Sequence, residues 1–313
     1  QREARFGRVW NCPDRSLGGY PFRFELKCRN PSLETQGGDP FLFTAASVHA
    51  VADVWAPNHI VAEFQPPARV VDKVTGKSYG ARWTLMQMSG VGDLSGQPQR
   101  FSLQVHDPVL EPPAEASAPA GTAPAAAPEP LATAKLFEFH VRRNPSRNGG
   151  LDGLDYATGL EQAQSPAFTA AGSPGPLNIT IQGTVTAAAD LRPMPVEQRL
   201  KAWAAAGGAA RLDRLVMTTP AVAATASGIL ALDPQGRLNG KLDLGFAGFQ
   251  ELVANLAKAG ILPEDLSPIV GALGLAGRKT TVEGRQGMSF ALGFRDGVLK
   301  LGPVPVGIVP PLF

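Results

Sequence analysis

The sequence predicts a mainly β chain with a few helices, an α+β fold built on antiparallel sheet. Three observations predict it. Short segments alternating apolar and polar residues recur along most of the 313 residues, with turn-rich gaps between them. Charged residues make up only 18%, beside 35 glycines and 29 prolines, the composition of a chain that turns often. Helical periodicity is confined to the second half. Strands that alternate in this way need one covered face each.

The elements follow in order. "FRFELKC" (22–28) alternates cleanly and puts Phe22, Phe24, Leu26 and Cys28 on one face. Further strands are expected at 43–56, 59–65, 68–74, 79–88 and 100–107, the last aligning Phe101, Leu103 and Val105. Residues 111–134 change character: 16 of 24 are Ala or Pro. Proline denies helix and ladder alike, so a disordered linker or inserted loop is expected there. It leaves segments 1–110 and 135–313 on either side. We expect it to interrupt one continuous fold. "KLFEFHVRR" resumes as a strand with Phe137, Phe139 and Val141 aligned, and two more strands follow at "LDYATGLEQA" and "PLNITIQGTVTAAAD".

Helices are expected at about 195–206, 249–260 and 267–277. Pro195 suits the first turn of the first, and Gly207 its end. "ASGILALDPQGRLNGKLDLGF" reads as a hairpin turning at Pro234-Gln235-Gly236, with Leu242, Leu244 and Phe246 on one face. "MSFALGFRDGVLKLGPV" reads as a second, turning at Asp296-Gly297, with Phe290, Leu292 and Phe294 aligned.

A formal charge of +2 gives no reason to expect nucleic acid. The first 30 residues do carry a local basic excess, which favours an anionic surface or simply a solvated strand face. The chain opens at Gln1 without Met, so any targeting or anchoring segment ahead of it would not be seen in this sequence. Cys12 and Cys28 lack the spacing of a zinc site. If "FGRVWNC" and "FRFELKC" are neighbouring antiparallel strands, the two sulfurs meet. A disulfide then marks an oxidising compartment; two buried thiols are the other possibility.

Catalytic patterns are weak. "GKSYG" matches GxSxG around Ser78, but between two strands rather than on the strand-to-helix turn that exposes a nucleophile. An esterase using Ser78 is thus a distant option. His49, His59, His106 and His140 form no metal-ligand spacing, and "NGGLDGLD" occurs once with the wrong period for calcium. No cofactor, metal site or enzymatic activity is expected. What the sequence offers is apolar strand faces, which serve as an ordinary core or as a groove for lipid chains.

"WNCPDRSLGGYPFRFELKC" (10–28), through Cys12, Pro13, Gly19, Tyr20, Pro21, Phe22, Arg23 and Cys28, resembles the start of an uncharacterised family of Gram-negative envelope proteins. The ending "DGVLKLGPVPVGIVPPL" is similar to that family's ending and to those of YdgA-like and AsmA-like envelope proteins. The resemblance implies a periplasmic protein held to the inner membrane by a preceding helix. It implies an elongated, curved antiparallel sheet enclosing an apolar groove, in a group thought to bind or conduct lipids. It brings no catalytic residue. The expectation is a lipid-binding or lipid-transfer module. Acyl or isoprenoid chains would lie against the Phe- and Leu-bearing faces named above, and Arg23 and Lys27 would meet the headgroup. The alternative is a non-enzymatic structural or assembly protein that contacts envelope partners.

Overall fold

The computed structural model describes residues 7–36, 40–95, 97–113, 129–144, 152–170, 175–188, 194–248, 277–302 and 304–313. The expected helices at 249–260 and 267–277 lie outside them, apart from Gly277. The chain is mainly β, and its described strand pairs are antiparallel. It divides into two units, residues 1–140 and 141–313.

The first unit holds β1 (Arg8–Asn11), β2 (Asp14–Gly18), β3 (Arg23–Arg29), β4 (Ser32–Thr35), β5 (Phe41–Asp53), β6 (His59–Asp72), β7 (Ser78–Arg82), β8 (Leu85–Gly92), β9 (Pro98–His106), β10 (Val109–Glu111) and β11 (Ala132–Thr133). The division falls within β12 (Leu136–Asn144). β3 and β4 pair with successive parts of β5, and β5 pairs with β6. β6 is one strand where two were expected. It runs through Pro66-Pro67, opposite a register shift between Ala45 and Ser47.

Conversely, 79–88 is two strands. β8 pairs with the first half of β6 and β7 with the second, so the chain steps across at Trp83-Thr84. Trp83 fills the step: its indole donates to the Phe64 carbonyl at 2.9 Å, and its ring packs against the core of Ala45, Phe64 and Ala68. β10 pairs with β7 and with β11. The Pro/Ala-rich stretch therefore leaves from one strand and returns as the neighbour of that strand. The boundary between units lies beyond it.

The second unit continues with β13 (Gly153–Ala163), α1 (Pro166–Ala170), β14 (Leu177–Thr186), α2 (Val196–Ala205), β15 (Ala209–Thr218), β16 (Ala223–Leu232), β17 (Leu238–Ala247), β18 (Arg278–Val282), β19 (Arg285–Arg295), β20 (Val298–Leu301) and β21 (Val304–Ile308). β13 to β17 form a meander of neighbours, and β17 then pairs with β19. α2 begins after Pro195 and ends as expected. Gly207 takes φ +69°, and its N–H and that of Gly208 return to the carbonyls of Ala204 and Trp203. Both expected hairpins form. Asp296 and Gly297 both take positive φ, the geometry of a tight turn matched to strand twist.

Candidate functional site

In an antiparallel ladder, residues directly opposite share a face. In the second unit the registers therefore compose rows that cross the sheet. One row runs Leu160, Ile179, Met217, Ala224, Phe246, Met288. The next runs Thr158, Ile181, Leu215, Ala226, Leu244, Phe290, and the third Tyr156, Gly183, Leu212, Gly228, Leu242, Leu292, Leu301. A fourth runs Leu154, Val185, Ala210, Leu230, Gly240, Phe294, Leu299. All four lie on one face, and nearly every member is apolar. Most of the large side chains are half-buried, while Phe290 is buried and its ring lies 6.3 Å from that of Phe246. The reverse face carries Arg211, Thr225, Ser227, Lys241, Asp243 and Lys300.

The first unit repeats the arrangement with its own rows. Leu17, Leu26, Ala50, Ala62, Met88 and Leu103 form one; Cys28, Val48, Phe64, Met86 and Val105 another. Phe24 lies opposite Ala52, and Phe101 opposite Gly90, with its ring 6.3 Å from that of Phe139. The structure thus brings together Phe24, Leu26, Phe101, Leu103, Val105 and Phe139 on one face of one sheet. It separately brings together Leu242, Leu244, Phe246, Phe290, Leu292 and Phe294. Phe137, Phe139 and Val141 share β12, all half-buried. Phe22 lies outside β3, in the turn before it, and is 69% exposed.

The structure sets Arg23 and Lys27 apart from this apolar face. The alternation that aligns Phe24 with Leu26 puts both cations on the reverse face of β3. There Glu25 stands between them, pairing with Arg23 and, at 3.8 Å, with Lys27, while His49 Nε2 approaches it at 3.6 Å. The row behind them is polar: Lys27, His49, Glu63, Gln87 and Gln104 are successive neighbours. These two side chains belong to a solvated ion cluster rather than to the edge of the apolar face.

Cys12 and Cys28 are bonded, with their Cα atoms 5.8 Å apart. The geometry differs from the expected strand pair. β1 pairs with β4 and β2 with β3, and Cys12 occupies the corner between β1 and β2. The bond ties that corner to the buried end of β3. Gly19 is the glycine the following turn requires: it takes φ +87°, and a Cβ there would meet the Arg23 carbonyl at 2.7 Å. Gly18 ends β2 with open space around it.

Ser78 opens β7 opposite Val71, on a strand-to-strand hairpin. His59 Nε2 lies 2.9 Å from Ser89 Oγ, and His140 is 3.9 Å from Glu138. Among the described residues no group of three or more His, Cys, Asp and Glu is arranged to hold a metal ion, and no helix is long and apolar enough to cross a membrane. Hydrogen bonds hold several turn carboxylates below their ordinary range. Thr75 does so for Asp72, Ser95 for Asp93, and Lys135 with Thr84 for Asp107.

The sequence reading missed Met86, Met88, Ile179, Ile181, Leu215 and Met217 as members of these faces. Alternation in "NITIQ" and "LMQM" was the available signal.

The model of a family described as "Uncharacterized protein conserved in bacteria (DUF2125)" matches residues 1–310. No curated protein matches the chain, and no solved structure does.

Proposed function

The chain belongs to the DUF2125 family, and we propose that this member is a periplasmic lipid-binding or lipid-transfer module. Acyl or isoprenoid chains lie along its apolar sheet faces, and a preceding segment tethers it to the inner membrane. The observation that carries the reading is the set of four apolar rows in the second unit. They are contiguous across six strands, yet most of their large side chains remain half-buried. A sheet needs one face covered to fold. A face this wide offers a chain of methylenes an uninterrupted surface. Each methylene fully buried contributes ~0.8 kcal/mol, and one lying on an open face about half of that. The disulfide supports an oxidising compartment. The relation to AsmA-like and YdgA-like proteins, with an elongated groove along the sheet, is part of the same proposal.

The test is extraction of the purified full chain with organic solvent and mass spectrometry of the extract, with uptake of a fluorescent fatty acid in parallel. Co-purified lipid, and uptake lowered by Leu244→Asp but not by Asp243→Asn on the reverse face, is the expected result. No extractable lipid together with no uptake refutes it, and leaves these faces as the core of a structural or assembly protein.

A further inference from the structure

One end of the first unit's sheet differs from the other in a way folding does not require. Three turns meet there: 19–22 between β2 and β3, 54–58 between β5 and β6, and 93–97 between β8 and β9. The registers fix their adjacency, since Arg23 lies opposite Asp53, His59 opposite Val91, and Gly92 opposite Pro98. Hydrogen bonds join the turns directly. Val54 N–H donates to the Phe22 carbonyl at 3.1 Å, Asn58 Nδ2 to the Gly92 carbonyl at 2.7 Å, and Gly92 N–H to the Asn58 carbonyl at 2.9 Å.

These turns display large apolar side chains to solvent. Tyr20 is 87% exposed, Phe22 69%, Trp55 72% and Leu94 102%. Turns ordinarily carry Gly, Pro, Asn, Asp and Ser, and a large side chain at full exposure contributes nothing to the core. The opposite end of the same sheet is built in the ordinary way. It holds Arg29 at the end of β3 and Lys73, Lys77 and Asp107 in its loops, with Lys135 paired to Asp107 at 2.7 Å and Lys73 paired to Glu34. Among the described loop residues of that end Val74 is the large exposed apolar one, and Trp10, 52% exposed, stands nearby on β1.

Hydrogen bonds also run within the displaying turns. Asp93 Oδ1 accepts from the N–H groups of Ser95 and Gln97, each at 2.9 Å, and Oδ2 from Gln99 Nε2 at 2.9 Å. Arg23 N–H closes the first turn onto the Gly19 carbonyl at 3.1 Å. Backbone positioned this way has less freedom to lose on binding.

We propose that this end of the sheet docks into the interfacial zone of a lipid bilayer, inserting Tyr20, Phe22, Trp55 and Leu94. Trp and Tyr have an apolar body and a polar tip, the combination that settles at the headgroup level. The turns contain no Lys or Arg, and their one carboxylate, Asp93, is occupied by its own turn. Insertion therefore runs on apolar burial rather than on attraction to anionic lipid. The docking is independent of whether the sheet faces hold lipid chains.

The test is sedimentation of the full chain with vesicles of phosphatidylethanolamine and phosphatidylglycerol. The parent protein sediments with them, and raising the salt to about 0.5 M changes this little, because exposed charges are then screened. Combined Tyr20→Ser, Phe22→Ser, Trp55→Ser and Leu94→Ser substitution lowers partitioning by more than about tenfold. It leaves the thermal melt and the extractable lipid unchanged. Val74→Ser at the opposite end leaves partitioning unchanged. Brominated phospholipid quenches part of the parent's tryptophan emission, and less of it in Trp55→Phe. Three results overturn the proposal: no sedimentation of the parent, partitioning of the fourfold variant equal to the parent's, or binding abolished by salt. A fourfold variant that loses self-association, with neither protein sedimenting, assigns the turns to a protein interface and overturns it as well.

Discussion

Opening the Cys12–Cys28 bond should destabilise the first unit by about 3 kcal/mol. The bond spans 16 residues of sequence. In the chain-entropy treatment a closed loop of that size removes about 10 cal/mol/K from the unfolded ensemble, which gives the figure at 25 °C. The native side adds little. Cys28 is 2% exposed and, once reduced, behaves as a small hydrophobe in a site already built for sulfur. Cys12 sits half-exposed at a corner. Reduction and the Cys12→Ala/Cys28→Ala pair should therefore cost about the same. Cys28→Ser should cost more, because it leaves a buried hydroxyl in place of a thiol. Urea unfolding measures the difference as a shifted midpoint at constant slope. Amide exchange localises it, with protection falling in β1 to β5 and unchanged in β13 to β17. A loss below about 1 kcal/mol, or an equal loss of protection in the second unit, would refute the reasoning.

Two further outcomes are expected. A Cβ on Gly208 would fall within the Trp203 indole, whose N–H donates to the Thr186 carbonyl at 2.7 Å. Gly208→Ala should thus cost about 1–3 kcal/mol and shift tryptophan emission to the red; an unchanged melt and spectrum would count against the placement of α2. Burial raises the Asp155 carboxyl, but hydrogen bonds from Thr184, Asn144 and Arg142 outweigh it and hold the group below its ordinary value. A carboxyl depressed in the folded state stabilises above its unfolded value and loses that contribution as pH falls through the folded one. Stability of the second unit should therefore drop below about pH 4, and Asp155→Asn should flatten that drop in melts recorded across pH.

Much of the sheet was legible. The β16–β17 and β19–β20 hairpins announced themselves because turn chemistry at Pro234-Gln235-Gly236 and Asp296-Gly297 coincided with clean alternation on both sides. β15 was missed for a physical reason. The register skips between Leu212 and Leu215, and the extra residue breaks the period of two that "RLDRLVM" would otherwise show. The step at Trp83 shows locally only as a change of phase, the alternation of "YGARWTLMQM" shifting between Leu85 and Met86, and the pairing of both halves with β6 is what divides it. The apolar faces were legible wherever phenylalanine marked them. The position of Arg23 and Lys27 behind Phe24 and Leu26 was already legible, because period two puts them there. The exposed turn residues were not legible, as exposure depends on which turns the topology makes neighbours.

The return of the chain from β10 to β11 has a practical meaning for this architecture. Leu110 lies opposite Ala132, and Leu131 N–H donates to the Leu110 carbonyl at 2.8 Å, so the two ends of the intervening stretch are held by the sheet itself. Doubling the length of a connection between such ends costs about 0.6 kcal/mol in loop-closure entropy. This makes the junction a natural port. A reporter domain, an epitope or a pair of new termini can be spliced there while every strand pairing on either side stays as it is.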